Sequence, residues 1–109
     1  MKVKELVEKL DLEVISEGNP DRDINGVYIG DLLSWVMSNA DSDNVWITIM
    51  SNINIVAVAT LVDTSAIIVC EGVELDDTVI ETAKSKGINI MSTTLTAYET
   101  ALKIAEIIN

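Results

Sequence analysis

The chain has no histidine and no phenylalanine, and only one cysteine, one proline and one arginine. Without histidine there is no imidazole base for a Ser-His-Asp or Cys-His arrangement, and no Cys/His metal cluster. A single cysteine, Cys70, excludes an intramolecular disulfide. In the setting "AIIVC" it reads as a small buried hydrophobe, because thiolate chemistry requires a neighbour that lowers the thiol pKa. A lone cysteine of this kind fits a reducing cytoplasm, which is the expected localisation. The five glycines are scattered. They form neither G-x-x-x-x-G-K-[ST] nor G-x-G-x-x-G, so the common phosphate-cradling loops are absent. Apolar runs such as Ile55 to Ala59 fall far short of the roughly 18 residues that cross a bilayer. Acidic residues interrupt "MKVKELVEKL", and no long apolar core follows, so this stretch does not read as a signal peptide.

Positive charge is also scarce: 7 basic against 18 acidic residues, a formal net charge of −11. Such a field repels phosphate backbones and anionic lipid, so neither nucleic acid nor membrane is expected as a partner. The plain reading is a well-solvated surface; a narrower one is an acidic face for a basic protein.

The chain is rich in aliphatic residues. It is 49% hydrophobic over 109 residues, with two Trp and two Tyr. That length fits one domain, residues 1–109, with an aliphatic core that needs no disulfide or metal. In "KVKELVEKL", Val3, Leu6, Val7 and Leu10 make one helical stripe. "LEVISEG" alternates as a short strand does, and Gly18-Asn19-Pro20-Asp21 is a turn cluster. "INGVYIG" reads as a second strand, with Gly26 at a bulge or close approach. "DLLSWVMSNA" follows as a helix, with Asp31 placed as its N-cap and Leu32, Trp35, Val36 and Met37 toward one side. "DSDN", Asp41 to Asn44, reads as a solvated turn and not a cation site, since a calcium loop needs more oxygens and a defined glycine.

From Val45 a rhythm sets in. "VWITIM", "AIIVC" and "INIMS" are strand-like. "ELDDTVIETAKSKG" has acidic residues at its start, Lys84 and Lys86 in its last turn and Gly87 as a stop. "TAYETALKIAEIIN" begins with the capping-box spacing of Thr96 and Glu99. The stretch "NINIVAVATLV" suits a strand by propensity. Parallel strands, however, are joined by helical crossovers, so Asn54 to Val62 is read as a helix. Because it is apolar all round, it needs cover on more than one side. One cover is the sheet. The other is expected to be a second copy, met by Ile55, Val56, Val58, Ala59 and Val62. The fold class that follows is a small three-layer α/β domain with a mainly parallel sheet. Its C-terminal β-α-β-α-β-α is preceded by a helix, two short strands and a helix.

Open parallel sheets bind ligands beyond the carboxyl ends of their strands. Three loops leave those ends: "MSNIN", "EGVELDD" and "STTLT". They offer Ser51, Asn52, Asn54, Glu71, Gly72, Ser92, Thr93 and Thr94 to a small anion or polar metabolite. The same residue types are also what helix starts need for capping. Arg22, within "PDRDING", either serves a ligand or pairs with Asp21 and Asp23 beside it. No positioned base or nucleophile emerges, so catalysis is disfavoured, and no cofactor or metal is implied.

The stretches "DRDINGVYIGDLLSWVMSNA", "VWITIMSNINIVAVA", "AIIVCEGVELDD" and "GINIMSTTLTAYETA" resemble the DRTGG domain family in order and spacing, over essentially the whole chain. Asp21, Arg22 and Gly26 match the name-giving letters; Asn25 stands where Thr is typical, and Val27 where a second Gly is typical. The resemblance implies a fold similar to the N-terminal domain of HPr kinase/phosphorylase, which is not its catalytic half. It also implies a regulatory or dimer-forming role, as in members that sit beside CBS domains in regulatory pyrophosphatases or within phosphotransacetylases. It adds Arg22, Asn25 and Gly26 to the ligand-binding candidates. The expected function is a non-catalytic regulatory module that homodimerises and senses a small polar or phosphate-bearing effector. The alternative is a protein-interaction subunit with no small-molecule ligand.

Overall fold

The computed structural model describes residues 1–108. In chain order the elements are α1 (Val3–Leu10), β1 (Glu13–Ser16), β2 (Gly26–Ile29), α2 (Leu33–Asn39), β3 (Asn44–Thr48), α3 (Asn54–Val62), β4 (Ala66–Val69), α4 (Asp77–Lys86), β5 (Ile90–Ser92) and α5 (Ala97–Ile108). One five-stranded sheet runs β1-β5-β4-β3-β2. β2, β3, β4 and β5 are parallel, and β1 lies antiparallel on the outer edge of β5. The three-layer α/β class with a mainly parallel sheet is what the alternating elements led us to expect.

The strand period of two divides the core. Val45, Ile47, Ala66, Ile68 and Met91 face α1 and α5, where they meet Val3, Leu6 and Ile104. Trp46, Ile67, Val69 and Ile90 face the opposite way, toward Val36, Ile55, Val56, Val79 and Ala83 on α2, α3 and α4. β4 is buried at every residue because helices cover both of its faces.

Local signals placed the end of α4 and the start of α5 correctly. Thr96 Oγ1 accepts the Glu99 N–H at 3.1 Å, and Glu99 Oε1 accepts the Thr96 N–H at 3.1 Å, a complete capping box ahead of α5. Gly87 ends α4 in the left-handed conformation with φ 69°. α3 forms over the stretch that its role as a crossover required. Gly18 marks a close approach instead of a flexible turn: a Cβ there would lie 2.1 Å from the Gly87 carbonyl oxygen.

Two expectations are corrected. Asp31 does not cap α2; Leu32 occupies the N-cap position. The Asp31 carboxylate instead accepts the Thr48 hydroxyl at 2.8 Å and the Ile49 N–H at 3.0 Å, both at the end of the neighbouring strand. On α2, Val36 alone is buried, while Leu32, Trp35 and Met37 are exposed. Consecutive residues on a helix are about 100° apart, so three in a row cannot all face the sheet.

The face of α3 is likewise revised. Ile55, Val56, Val58 and Ala59 are buried in the chain's own core, and Val62 is half-buried. The sheet, α2 and α4 supply the second cover that had been assigned to another copy. What α3 leaves outside is Ile53, Asn54, Ala57, Thr60 and Leu61, of which Leu61 is 72% exposed.

Candidate functional site

The residues singled out in the sequence fall at opposite ends of the sheet. Arg22, Asn25 and Gly26 lie at the end where the parallel strands begin. Val3 and Lys4 of α1 donate backbone N–H groups to the carbonyls of Arg22 and Pro20, which docks the turn on the first helix. The flanking carboxylates do not hold Arg22, contrary to the local ion pair considered above. Asp21 pairs with Lys4 at 2.7 Å and Asp23 with Lys2 at 2.8 Å. The guanidinium reaches across to the starts of β3 and β4. Nε and Nη2 donate to Asp43 Oδ1 at 3.1 and 2.9 Å, Nη1 meets Asp63 Oδ1 at 2.9 Å, and Nη2 also donates to the Asp63 carbonyl.

Four of the five guanidinium N–H groups are therefore engaged within the chain. Burial would lower the Arg22 pKa, but the hydrogen bonds to Asp43 and Asp63 outweigh it and hold the pKa above its ordinary value. Asp43 and Asp63 both sit in the left-handed region, at φ 66° and 67°. The Asp43 N–H donates to the Asp63 carbonyl, and the Asp43 carbonyl accepts the N–H of Asn25 and the hydroxyl of Ser65. Asn25 Oδ1 accepts from Asn44 Nδ2 at 3.2 Å, and a Cβ on Gly26 would press on that same amide at 3.0 Å. The arrangement clamps three loops together, and its polar groups are largely spent on one another.

The other end carries the strand-end loops. Ser51, Asn52 and Asn54 follow β3. Asn52 Oδ1 accepts the Asn54 N–H at 2.9 Å, an Asx turn that begins α3. Asn54 faces a shallow groove between α3 and α4, shared with Ile53, Ala57 and Leu61. These three polar residues do not join those of the next two loops.

The loops after β4 and β5 are stitched together. The Glu71 N–H donates to the Leu95 carbonyl at 2.9 Å and the Gly72 N–H to the Thr93 carbonyl at 3.0 Å. Glu71 and Gly72 turn the chain with positive φ of 61° and 68°. Beside this seam lies a cleft of about 360 Å³, within the size range of small-molecule sites. Gly72, Ser92 and Thr94 line it, so the structure brings together part of the predicted set. Thr93 faces an adjoining depression of about 220 Å³ with Asp11, Glu13, Ser92 and Thr94.

Sequence reasoning missed the other walls of the cleft: Glu13 and Ile15 from β1, and Val73, Glu74, Leu75 and Ile80 around the start of α4. "LEVIS" was legible as a strand, but its pairing with β5 leaves no mark in a single sequence. Glu74 lay inside a quoted loop whose acidic residues were assigned to the helix start. No basic side chain lines the cleft. Cys70 does not line the cleft; it is fully buried on the opposite face of the sheet, in the core with Met91 and Ile104, with Sγ 3.6 Å from Thr100 Oγ1 of α5. Burial raises its thiol pKa, which opposes a thiolate role.

Comparison with known proteins agrees with the fold. The family model for the DRTGG domain matches residues 5–107. No curated protein matches the chain. Among solved structures, the chain is similar to the CBS and DRTGG domains of the regulatory region of Clostridium perfringens pyrophosphatase, described in complex with the activator diadenosine tetraphosphate. The TM-score is 0.74 at 16% identity, over 94% of this chain and 45% of that one, a likeness of fold. The chain thus spans less than half of that regulatory region. By the match over nearly its whole length, the chain belongs to the DRTGG domain family.

Proposed function

We propose that this protein is a non-catalytic regulatory module that senses a small polar molecule in the cleft beside β5 and self-associates through its α2–α3 face. The observation that carries the sensing role is the seam between the loops after β4 and β5. Two backbone hydrogen bonds join these loops beside the cleft, so a ligand touching Gly72 and Thr94 would bear on both at once. A DRTGG domain within the regulatory region of a pyrophosphatase is in keeping with such a role. The acidic lining favours neutral or cationic groups over the phosphate expected from the loops alone.

Self-association rests on a different surface. Neither α2 nor α3 carries a charged side chain, although the chain bears a net charge of −11. Leu32, Trp35, Ile53 and Leu61 are exposed on or beside these helices. Two copies meeting there would bring their least charged surfaces together and bury apolar area. Sedimentation equilibrium on the protein and on Trp35→Glu and Leu61→Glu tests this. A concentration-dependent dimer lost in both variants supports it; a monomer at all concentrations up to 100 µM removes it (about −5.5 kcal/mol of association at that limit).

The alternative, a subunit that binds another protein and no small molecule, draws on the same uncharged face. Thermal denaturation across a panel of polar metabolites separates the two readings, because a ligand specific for the folded state raises the melting temperature. Stabilisation abolished by Thr94→Val supports the sensor. No stabilisation by any member of the panel, together with stoichiometric capture of one defined protein, supports the alternative.

A further inference from the structure

The cleft beside β5 combines an apolar floor with an acidic rim, and that combination selects a chemical class of ligand. The floor is built by Ile15, Val69, Leu75 and Ile80. Glu13 of β1 and Glu74 of the loop before α4 approach from two separate elements. Among the described residues neither carboxylate takes part in an ion pair. Glu71 and Asp76 share the loop with Glu74, Asp77 opens α4 and Asp11 borders the adjoining depression, so the surrounding charge has the same sign. An anion entering here would meet repulsion with no lysine or arginine to offset it.

A bare divalent ion fits poorly. No group of three or more acidic side chains able to hold a metal occurs among the described residues. An inorganic cation would also leave the apolar floor uncovered. Ligand sites typically pair a mostly apolar lining with a few polar groups that fix orientation. We infer that the cleft binds a small organic ammonium compound, with its hydrocarbon or aromatic body on Ile15, Leu75 and Ile80 and its ammonium at the Glu13–Glu74 rim. The hydroxyls of Ser92 and Thr94 face the same space and accept the remaining ammonium N–H groups.

This inference rests on the reading of the cleft as the ligand site, and the test separates the two. The full chain, labelled with ¹⁵N, is titrated at physiological salt with 2-phenylethylammonium and with 3-phenylpropionate, an anion of similar size. The expected result is saturable shifts of the Gly72, Glu74 and Thr94 amides with the ammonium compound alone. Glu13→Gln and Glu74→Gln should each weaken that binding at least tenfold, while Glu106→Gln, on α5 away from the cleft, should leave it unchanged. Both rim residues are exposed, so these variants preserve the fold. If the carboxylate shifts those amides and the amine does not, the ammonium assignment is overturned and the ligand-site reading stands. If neither compound shifts them up to 10 mM, both fall. Equal weakening by Glu106→Gln reduces the effect to general attraction by an acidic surface and also overturns the assignment.

Discussion

Replacing Arg22 with alanine should destabilise the fold by a predictable amount. The substitution removes two ion pairs and a hydrogen bond to the Asp63 carbonyl. It also leaves Asp43 and Asp63 as neighbouring carboxylates with no cation between them. The Arg22 side chain is 24% exposed, but Asp43 and Asp63 are 42% and 64% exposed, so solvent screens both pairs. Pairs of that kind contribute about 0.5 kcal/mol each. The hydrogen bond to the carbonyl adds about 1 kcal/mol. The expected loss is about 2 kcal/mol, which for a domain of this size lowers the melting temperature by roughly 10 °C. Arg22→Lys keeps the charge but not the planar fork and should recover about half of the loss. Circular dichroism melts at neutral pH, with urea titrations to confirm an unchanged m-value, give the measurement. A shift below about 2 °C for Arg22→Ala, a loss of about 0.5 kcal/mol or less, would refute the clamp. Its sequence position would then have to be explained by a ligand.

Other consequences follow from the packing and the caps. Gly18→Ala should cost about 1–3 kcal/mol in urea unfolding, because the new Cβ meets the Gly87 carbonyl. Thr96→Ala should cost about 1 kcal/mol through the lost cap on α5. The Glu99 carboxyl is held below its ordinary pKa by the backbone N–H of Thr96 and then by the Thr96 hydroxyl. Its stabilisation is thus present above the unfolded-state glutamate pKa and is lost as pH falls through the folded value. The melting difference between the protein and Glu99→Gln should accordingly shrink on acidification and vanish below that value. A difference that grows on acidification would contradict the capping geometry. Cys70 should resist a thiol-specific disulfide reagent in the native state and react at once in urea, since its sulfur is fully buried and its pKa raised by burial. Rapid modification without denaturant would show that the core between the sheet and α5 opens.

Much of the architecture was legible because it rests on short-range physics. The Gly87 stop and the Thr96–Glu99 box depend on hydrogen bonds between near neighbours in sequence, whereas the helix over Asn54–Val62 followed from the rule that parallel strands are joined by helical crossovers. The acidic balance and the absence of histidine likewise narrowed the chemistry before any coordinates. The α3 side chains misled for a physical reason. Composition shows how much apolar surface a helix carries, but not that β3, β4, α2 and α4 converge to cover Ile55, Val56, Val58 and Ala59.

The clamp and the cleft were decided elsewhere. Arg22 has two aspartates as chain neighbours, yet its guanidinium is held by Asp43 and Asp63, which the parallel sheet brings to the same end. Glu13 reaches Ser92 and Thr94 because β1 pairs antiparallel with β5 across the chain. Local sequence determined the elements, their ends and the sign of the surface, since those follow from interactions a few residues long. Which charged groups meet, and which apolar surface remains exposed, only the tertiary structure decided, because strand order is a property of the whole chain's packing.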